Sequence, residues 1–286
     1  FKLYDTYGFP LDLTQDYLKN KLINVDIKTF EQQMVNQKDR ARKNWKGIGD
    51  KNIDDKIWIE ATKNLELTEF IGYKNDTSES IVTKIVLNNK IVNKVEVEDE
   101  AILILNKTPF YAESGGQVGD RGFLSNINFN FEVHNTSKIF GNYFLHFGKV
   151  LKGNCVVDDI INASIDINFR NLVRNNHSST HLLHASLRKI LGNHVTQKGS
   201  LVNDEKLRFD FSQNDIITME QISTIEILVN DIIKQESDVK TEILDQEEAI
   251  NNGAMALFGE KYGEKVRVIS MGKINNEIFS IELCGG

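Results

Sequence analysis

Hydrophobic and polar positions follow three different patterns along the chain. Up to about residue 65, apolar residues recur every three or four positions, as in the run 17–23, which indicates helices. From about 66 to 168 they alternate in short runs, which indicates strands. From about 169 onward both patterns occur. We therefore predict an α+β fold with a helical N-terminal segment (1–65), a small antiparallel β-barrel (66–168) and an α+β domain (169–286).

The middle part contains several short strand patterns close together. The predicted strands are residues 81–87, 91–97, 101–105, 129–133, 143–150 and 156–165. Residues 88–90 form the turn of a hairpin between the first two. The stretch PFYAESGGQVGD (109–120) is rich in glycine and too irregular for a strand, so we predict a loop there.

The third part mixes helix and strand signals. Asn176 is a suitable cap for a helix that runs to residue 190 or 191, where Gly192 ends it. A capping box that starts at Thr218 predicts a second helix. Further strands are predicted at 207–211, 266–270 and 278–283. Cys284 therefore follows directly on the last predicted strand.

Composition narrows the class of protein. The chain has 286 residues, of which 40% are hydrophobic and 26% charged, as in ordinary globular domains. The formal net charge of -7 argues against non-specific coating of nucleic acid, and we expect no DNA partner. No apolar run is long enough to span a membrane. Two cysteines are too few for a disulfide framework, which favours a metal-binding thiol and a cytoplasmic location.

His177 and His181 are the first candidates for chemistry. They lie four residues apart on the predicted helix, so both rings project from one face and can share a metal ion. Cys284 can add a thiolate, and nitrogen with sulfur favours zinc. Packed helical histidines and a small buried cysteine are the simpler interpretations. Spacing alone does not exclude His184 as a ligand, although its apolar neighbours favour a supporting role.

The glycine-rich loop is the second candidate. Gly115 and Gly116 allow backbone to approach a ligand closely, and the amide of Gln117 can hydrogen-bond a water or an ester oxygen. Gln197, in the run VTQKGS, offers the same group. A loop that only needs positive φ angles explains the glycines equally well.

Several stretches together resemble the editing domain of alanyl-tRNA synthetases. They are NHSSTHLLHA (176–185), QKGSLV (197–202) and LRFDFS (207–212). The stretches GAMALFGEKYG (253–263), ELCGG (282–286) and FYAESGGQVGD (110–120) are similar to other signatures of the same family. At the start, KLYDTYGFP (2–10) looks like the end of the family's tRNA-recognition helices, so residues 1–65 would be the end of that domain. The similarity covers nearly the whole chain in the expected order. Threonyl-tRNA synthetases and free-standing editing proteins share the histidine and cysteine elements, but the flanking segments favour the alanyl family.

This resemblance implies an enzyme that is part of an alanine--tRNA ligase, which attaches alanine to tRNA(Ala) with ATP. The 286 residues would hydrolyse tRNA(Ala) that carries serine or glycine by mistake, with the tRNA acceptor end as partner. Zinc would be held by His177, His181 and Cys284. The family pattern places a fourth ligand, a histidine, four residues after Cys284, just beyond Gly286. ATP and Mg²⁺ would bind only in an aminoacylation domain expected upstream of Phe1.

The resemblance also suggests roles for the remaining candidates. Gln197 and Gln117, with Gly115 and Gly116, would orient the ester and water, and Thr180 would meet the serine hydroxyl. Candidates for RNA contact are Arg174, Lys198, Arg208 and Asp12, the last with a guanine of the acceptor stem. A helix cap explains Asp12 equally well. The alternatives are a free-standing or threonyl-type editing hydrolase, and a non-catalytic tRNA-binding module with structural zinc. Oligomeric state is not predicted.

Overall fold

The computed structural model of the chain describes residues 11–19, 21, 25–44, 55–255 and 264–285. The chain divides into two compact units, 1–54 and 55–286. Three stretches that entered the sequence analysis lie outside the described residues. These are the start motif (2–10), residues 256–263 of the run 253–263, and the side chain of Asp12.

The described part of the first unit is helical, as predicted. Helix α1 spans Leu11–Lys19 and helix α2 spans Ile27–Asn44. Asp26 precedes α2 and caps it, because its carboxylate accepts hydrogen bonds from the backbone and hydroxyl of Thr29 at 3.0 and 2.7 Å.

The second unit begins with helix α3 (Asp55–Thr62) and continues into a barrel. Its main strands are β2 (Thr77–Leu87), β5 (Glu100–Leu105), β7 (Gly122–Ser125), β8 (Asn130–Ile139), β9 (Tyr143–Lys152) and β11 (Ile160–Ile165). Within residues 55–255 these six form an antiparallel sheet in the order β11-β7-β8-β9-β5-β2, and β11 also pairs with β2. The predicted barrel is therefore confirmed and closed.

Alternating residues of the barrel strands fill its interior. Leu103, Leu124 and Phe131 of the strands are fully buried there, together with Phe110 and Phe129 of the adjoining loops. Shorter strands add to the rim: β1 (Glu69–Phe70) with β6 (Lys107–Thr108), β4 (Lys94–Glu96) with β10 (Asn154–Val156), and β3 (Lys90–Val92) on β2. The strand predicted at 156–165 is interrupted, because Asp158 has φ 74° and Asp159 turns the backbone by accepting from Val156 N at 2.8 Å.

The helix that carries both candidate histidines is longer than predicted. Helix α4 spans Ile167–Leu191, and its N-cap is Asp166, whose side chain accepts from Phe169 N at 3.0 Å. The predicted start at Asn176 is therefore wrong. The Asn176 amide instead donates to Asn203 O at 2.8 Å from the middle of the helix. The predicted end at Leu191 and Gly192 is confirmed.

The remaining elements pack around α4. They are β12 (Gln197–Val202), β13 (Leu207–Phe211), α5 (Met219–Ile233), β14 (Lys240–Asp245), α6 (Gln246–Asn251), β15 (Lys265–Ile274) and β16 (Glu277–Leu283). Strands β12 and β13 form a hairpin, and β14-β15-β16 form an antiparallel sheet. One face of that sheet packs against α4 and α5 through Leu182, Ile232, Ile269 and Met271. This packing brings the end of β16 to the histidines of α4. None of the described helices is long and apolar enough to cross a membrane.

Candidate metal centre and active site

The structure brings together the three ligands predicted from the sequence. His177 and His181 on α4 and Cys284 after β16 have ligand atoms within 4.8 Å of one another. His177 Nε2 lies 3.2 Å from Cys284 Sγ, and the two imidazole rings stack with centroids 4.9 Å apart. Atoms that bind one zinc ion at about 2.0–2.3 Å lie roughly 3–4 Å apart. The three side chains can therefore converge on one ion.

Glu282 orients His181. The Nδ1–H of His181 donates to Glu282 Oε2 at 2.6 Å, and the carboxylate is only 2% exposed. Burial raises the pKa of Glu282, but the hydrogen bond from His181 and the proximity of His184 outweigh burial and lower it to about 2. Glu282 is therefore ionised. With Nδ1 engaged, His181 Nε2 is left buried without a hydrogen-bond partner among the described residues, as expected of a metal ligand.

Gln117 orients His177 in the same way. The Nδ1–H of His177 donates to Gln117 Oε1, so the lone pair of His177 Nε2 points toward the shared centre. Backbone hydrogen bonds hold Gln117 in place, because Val118 N donates to Val202 O and Val202 N donates to Gly116 O, at 3.1 and 2.8 Å. The glycine-rich loop is thereby attached to β12. This role of Gln117 was not predicted.

Cys284 has the chemistry of a metal-binding thiolate. Burial raises the pKa of its thiol, but the neighbouring imidazoles of His177 and His181 outweigh burial and lower it to about 5. Its backbone is fixed on both sides, since Cys284 N donates to Arg267 O at 2.9 Å and Tyr73 Oη donates to Gly285 O at 2.8 Å. Two imidazoles and a thiolate with oriented rings fit zinc.

His184 lies beside the centre. Its side chain is 3% exposed, with Nδ1 at 3.3 Å from Glu282 Oε1 and the ring centroid 5.1 Å from that of Phe209. Neither ring nitrogen has a hydrogen-bond partner within the described ranges. His184 is not one of the three clustered ligands, in agreement with the supporting role favoured by its apolar neighbours.

A small cavity of about 90 Å³ opens beside the three ligands. Gln197, Thr180 and Gly115, all predicted as catalytic, line it together with the metal-ligand residues. Gln197 is half-buried at the start of β12. The hydroxyl of Thr180 donates to Asn176 O at 2.8 Å, which leaves its oxygen able to accept from a ligand.

The two loop glycines are required for different reasons. Gly115 and Gly116 have φ angles of 60° and 84°, in the left-handed region that favours glycine. A side chain on Gly116 would meet Ser200 O at 2.4 Å, whereas one on Gly115 would point into open space. Gly116 therefore permits close packing of the loop on β12, and Gly115 provides only the turn.

A larger cavity of about 300 Å³ adjoins the same centre. Tyr73, Tyr111 and Arg174 line it, together with His177 and His181. Arg174, a predicted RNA contact, is exposed at this cavity.

The other three predicted RNA contacts are distributed over the two units. Lys198 and Arg208 are exposed on the β12–β13 hairpin, and Arg208 pairs with Asp210 at 3.1 Å. Asp12 lies in the first turn of α1, in the other unit.

A buried ion pair that the sequence did not predict joins the barrel loop to α4. Arg170 donates to both oxygens of Asp120, and also to Gly72 O and Pro109 O at 3.0 and 2.9 Å. Asp120 also accepts from Tyr111 N at 2.6 Å. The pair fixes the helix two turns before His177. The sequence shows that Arg170 shares a helix face with His177, seven residues later, but gives no sign of its distant partner Asp120.

Comparison with known proteins is consistent with this architecture. Residues 1–169 match the family described as "tRNA synthetases class II (A)". Because this match covers more than half of the chain, the chain belongs to the class II (A) tRNA synthetase family.

The similarity to individual relatives continues past residue 169 and includes the candidate metal centre. The "Alanine--tRNA ligase" of Parvibaculum lavamentivorans is 47% identical over 290 residues, which cover 100% of this chain and 32% of the relative. The "Alanine--tRNA ligase" of Rickettsia felis is 47% identical over 287 residues, which cover 100% of this chain and 32% of that relative. The "Alanine--tRNA ligase" of Rhodopseudomonas palustris is 45% identical over 292 residues, which cover 100% of this chain and 33% of that relative. The chain is thus a homologue of alanine--tRNA ligases and spans about a third of their length.

Proposed function

We propose that these residues hydrolyse wrongly charged tRNA(Ala), removing serine or glycine from its 3′ end, within an alanine--tRNA ligase. The observation that carries the proposal is the cluster of His177, His181 and Cys284 beside a small cavity. Attachment of alanine with ATP and Mg²⁺ would belong to the part of the relatives that this chain does not span. A cytoplasmic location remains a prediction.

A second site is needed because one pocket discriminates poorly. A site for alanine cannot strongly reject glycine, which lacks a methyl group, or serine, which adds only a hydroxyl. Discrimination of this kind reaches only about 10²-fold. Hydrolysis at a separate site removes the products that the first site accepts. The size of the cavity beside the cluster, about 90 Å³, suits a small aminoacyl group and a water.

The reaction is hydrolysis of an ester. The oxygen of water bonds to the acyl carbon, and the bond from that carbon to the ribose oxygen breaks. One proton of the water passes to the ribose oxygen, which leaves as a hydroxyl group, and the amino acid leaves with a free carboxyl group. Zinc bound to the three ligands would supply a Lewis acid for this step or an anchor for the aminoacyl end. Gln197 offers an amide to orient the ester or the water, and Thr180 offers an oxygen to the serine hydroxyl.

The supporting residues keep the site ordered before substrate arrives. Glu282 and Gln117 fix the two imidazoles through their Nδ1 atoms. Arg170 and Asp120 hold the loop against α4. Such prearrangement matters because displacement of reacting groups by about 1 Å can cost on the order of 10²-fold in rate.

Release of amino acid from charged tRNA(Ala) tests the proposal. The zinc-loaded chain should release serine and glycine faster than alanine. Gln197→Ala should slow serine release without loss of zinc. Gln213→Ala is a matched control, because Gln213 is also half-buried but contacts His194 outside the cavity.

The same assay separates the alternatives. If the zinc-loaded chain releases serine no faster than the spontaneous reaction does, a non-catalytic tRNA-binding module is favoured. Preferred hydrolysis of seryl-tRNA(Thr) would favour a threonyl-type hydrolase. The relatives reported above are all named as alanine ligases, which supports tRNA(Ala) as the substrate.

A further inference from the structure

Cys284 lies one residue past the end of β16. The paired register of β15 and β16 ends at Val268 and Leu283, so the sheet by itself does not set the direction of the Cys284 side chain. A metal ligand in such a position needs further contacts that hold its donor atom in place. Two side chains, Arg267 and Tyr73, supply such contacts.

Arg267 binds both backbone polar groups of Cys284. The carbonyl oxygen of Arg267 accepts from Cys284 N at 2.9 Å, and its guanidinium Nη1 donates to Cys284 O at 3.2 Å. Arginine suits this position because its planar guanidinium presents several N–H groups in fixed directions. A single residue of β15 therefore orients the backbone that carries the thiol.

Tyr73 holds the next peptide unit. Its hydroxyl donates to Gly285 O at 2.8 Å, although the two residues are 212 positions apart. The Arg267 guanidinium lies over the Tyr73 ring, with Cζ 4.8 Å from the ring centroid, so the two side chains support each other. Phe70 contacts the same ring edge-on, with centroids 4.9 Å apart. Tyr73 thus connects the segment between β1 and β2 to the chain beyond β16.

The segment that carries Tyr73 is also attached to the histidine helix. Arg170 of α4 donates to Gly72 O at 3.0 Å. Gly72 packs so closely against the loop 109–120 that a side chain would not fit there. One short segment therefore contacts both α4, which carries the two histidine ligands, and the backbone next to Cys284.

We propose that Tyr73 is a positioning residue of the metal centre, which sets the place of the Cys284 sulfur relative to the two imidazoles. His177 Nε2 and Cys284 Sγ lie 3.2 Å apart although their residues are 107 positions apart, so their spacing depends on contacts between distant segments. Tyr73 acts through Gly285 O and through Arg267. This inference rests on the metal site of the proposed function, but metal binding is measured without tRNA and without hydrolysis.

Removal of one oxygen tests the role of Tyr73. The residue is half exposed, so Tyr73→Phe should leave the fold intact. The variant loses the bond to Gly285 O and should bind zinc about two- to tenfold more weakly, the value of one neutral hydrogen bond. Tyr143→Phe is the matched control and should bind zinc as the parent does, because Tyr143 Oη donates to Leu65 O at 3.1 Å and lines neither cavity at the metal centre. Parental zinc affinity in Tyr73→Phe would overturn the proposal.

A double-mutant cycle shows whether Tyr73 acts through the thiol. Cys284→Ala leaves His177 and His181 as ligands, and its weaker binding is measured at higher zinc concentrations. Tyr73→Phe should have no further effect in that background, because the backbone that Tyr73 holds no longer carries a ligand. The same loss of affinity with and without the thiol would show a general effect on the fold and would overturn the assignment.

Cobalt gives a spectroscopic measure of the sulfur position. Co²⁺ accepts the same nitrogen and sulfur ligands as zinc, and a bound thiolate gives it a charge-transfer absorption band. Arg267→Lys keeps the positive charge but not the planar group, and both it and Tyr73→Phe should change the wavelength or intensity of the band. Arg208→Lys on the exposed β12–β13 hairpin should not. A parental band in both Arg267→Lys and Tyr73→Phe would contradict the positioning role.

These outcomes are distinct from failure of the proposed hydrolysis. Zinc affinity that depends on Tyr73, in a chain that releases no serine, would retain the positioning role and reject the hydrolase. Serine release by a chain whose zinc affinity and cobalt spectrum do not depend on Tyr73 would support the hydrolase and reject the positioning role.

Discussion

His181 and Glu282 form a short hydrogen bond of 2.6 Å between the imidazole Nδ1 and a carboxylate oxygen. The two residues are 101 positions apart and meet because β16 packs beside α4. The bond fixes both the tautomer and the direction of the ring, so that Nε2 faces Cys284 and His177. A carboxylate that supports a metal-bound histidine typically contributes to metal affinity without touching the metal.

Replacement of Glu282 should therefore weaken zinc binding. Glu282→Ala removes the acceptor for His181 Nδ1–H and should lower zinc affinity by about 10- to 100-fold. Glu282→Gln retains an acceptor without the charge and should have a smaller effect. Competition with a coloured chelator gives the affinity, and Glu277→Gln on the exposed part of the same strand is the control. Unchanged affinity in Glu282→Ala would exclude a role in orienting His181.

Substitution of Gly116 should disturb the metal centre through Gln117. Gly116→Val places atoms within about 2.4 Å of Ser200 and strains a left-handed backbone, so the loop must move away from β12. His177 then loses its partner, and zinc affinity should fall together with hydrolysis. Gly115→Asn is the control, since asparagine tolerates this backbone and the space is open. Wild-type zinc affinity in Gly116→Val would show that the loop does not support His177.

Thr180→Val tests recognition of the serine hydroxyl. Valine has nearly the same shape but no oxygen to accept a hydrogen bond. Release of serine should slow by roughly two- to tenfold, the value of one neutral hydrogen bond, while release of glycine should be unchanged. Rates measured on both charged tRNAs with one enzyme preparation make the comparison internal. An equal loss on both substrates would indicate a packing effect of Thr180 in α4.

His146 should make the barrel sensitive to acid. Its ring is fully buried, with Nδ1–H donating to Leu103 O at 3.0 Å and Nε2 accepting from Thr108 Oγ1 at 2.8 Å. Burial lowers the pKa of His146 to about 4, although the bond to Leu103 raises it in part. Between about pH 6.5 and 4 the unfolded chain thus binds a proton that the folded chain does not, and stability falls as the pH falls.

Protonation of His146 in the unfolded chain should lower the free energy of unfolding by on the order of 3 kcal/mol across that pH range. Urea unfolding at a series of pH values should show a smaller loss of stability toward pH 4 in His146→Gln, which keeps hydrogen-bonding groups but does not titrate. Identical pH profiles for the variant and the parent would exclude His146 as the titrating group.

The grouping of His177, His181 and Cys284 was predictable because its signals are local. The four-residue spacing of His177 and His181 fixes one helix face, and a cysteine directly after an apolar strand marks Cys284 as a candidate. The barrel was predictable for the same reason, since alternation identifies most of its strands. Strand β14 was not predicted, because it is an edge strand with mostly exposed residues and no alternation of buried and exposed positions.

The supporting contacts were beyond the reach of the sequence pattern. Gln117 meets His177 across 60 positions, and Arg170 meets Asp120 across 50. Periodicity reports the environment of each residue but not its distant partner. The start of α4 was misplaced because Asp166 and Asn176 are both good caps, and only the observed bond to Phe169 N selects Asp166.

Dependence of hydrolysis on the metal cluster is the most direct test of this account. The chain is freed of metal, zinc is returned in steps, and serine release from seryl-tRNA(Ala) is measured at each step beside Cys284→Ala. We predict that the rate rises in proportion to zinc up to one ion per chain, and that Cys284→Ala retains little zinc and shows no acceleration. Equal serine release by the metal-free chain, or by Cys284→Ala, would contradict the account.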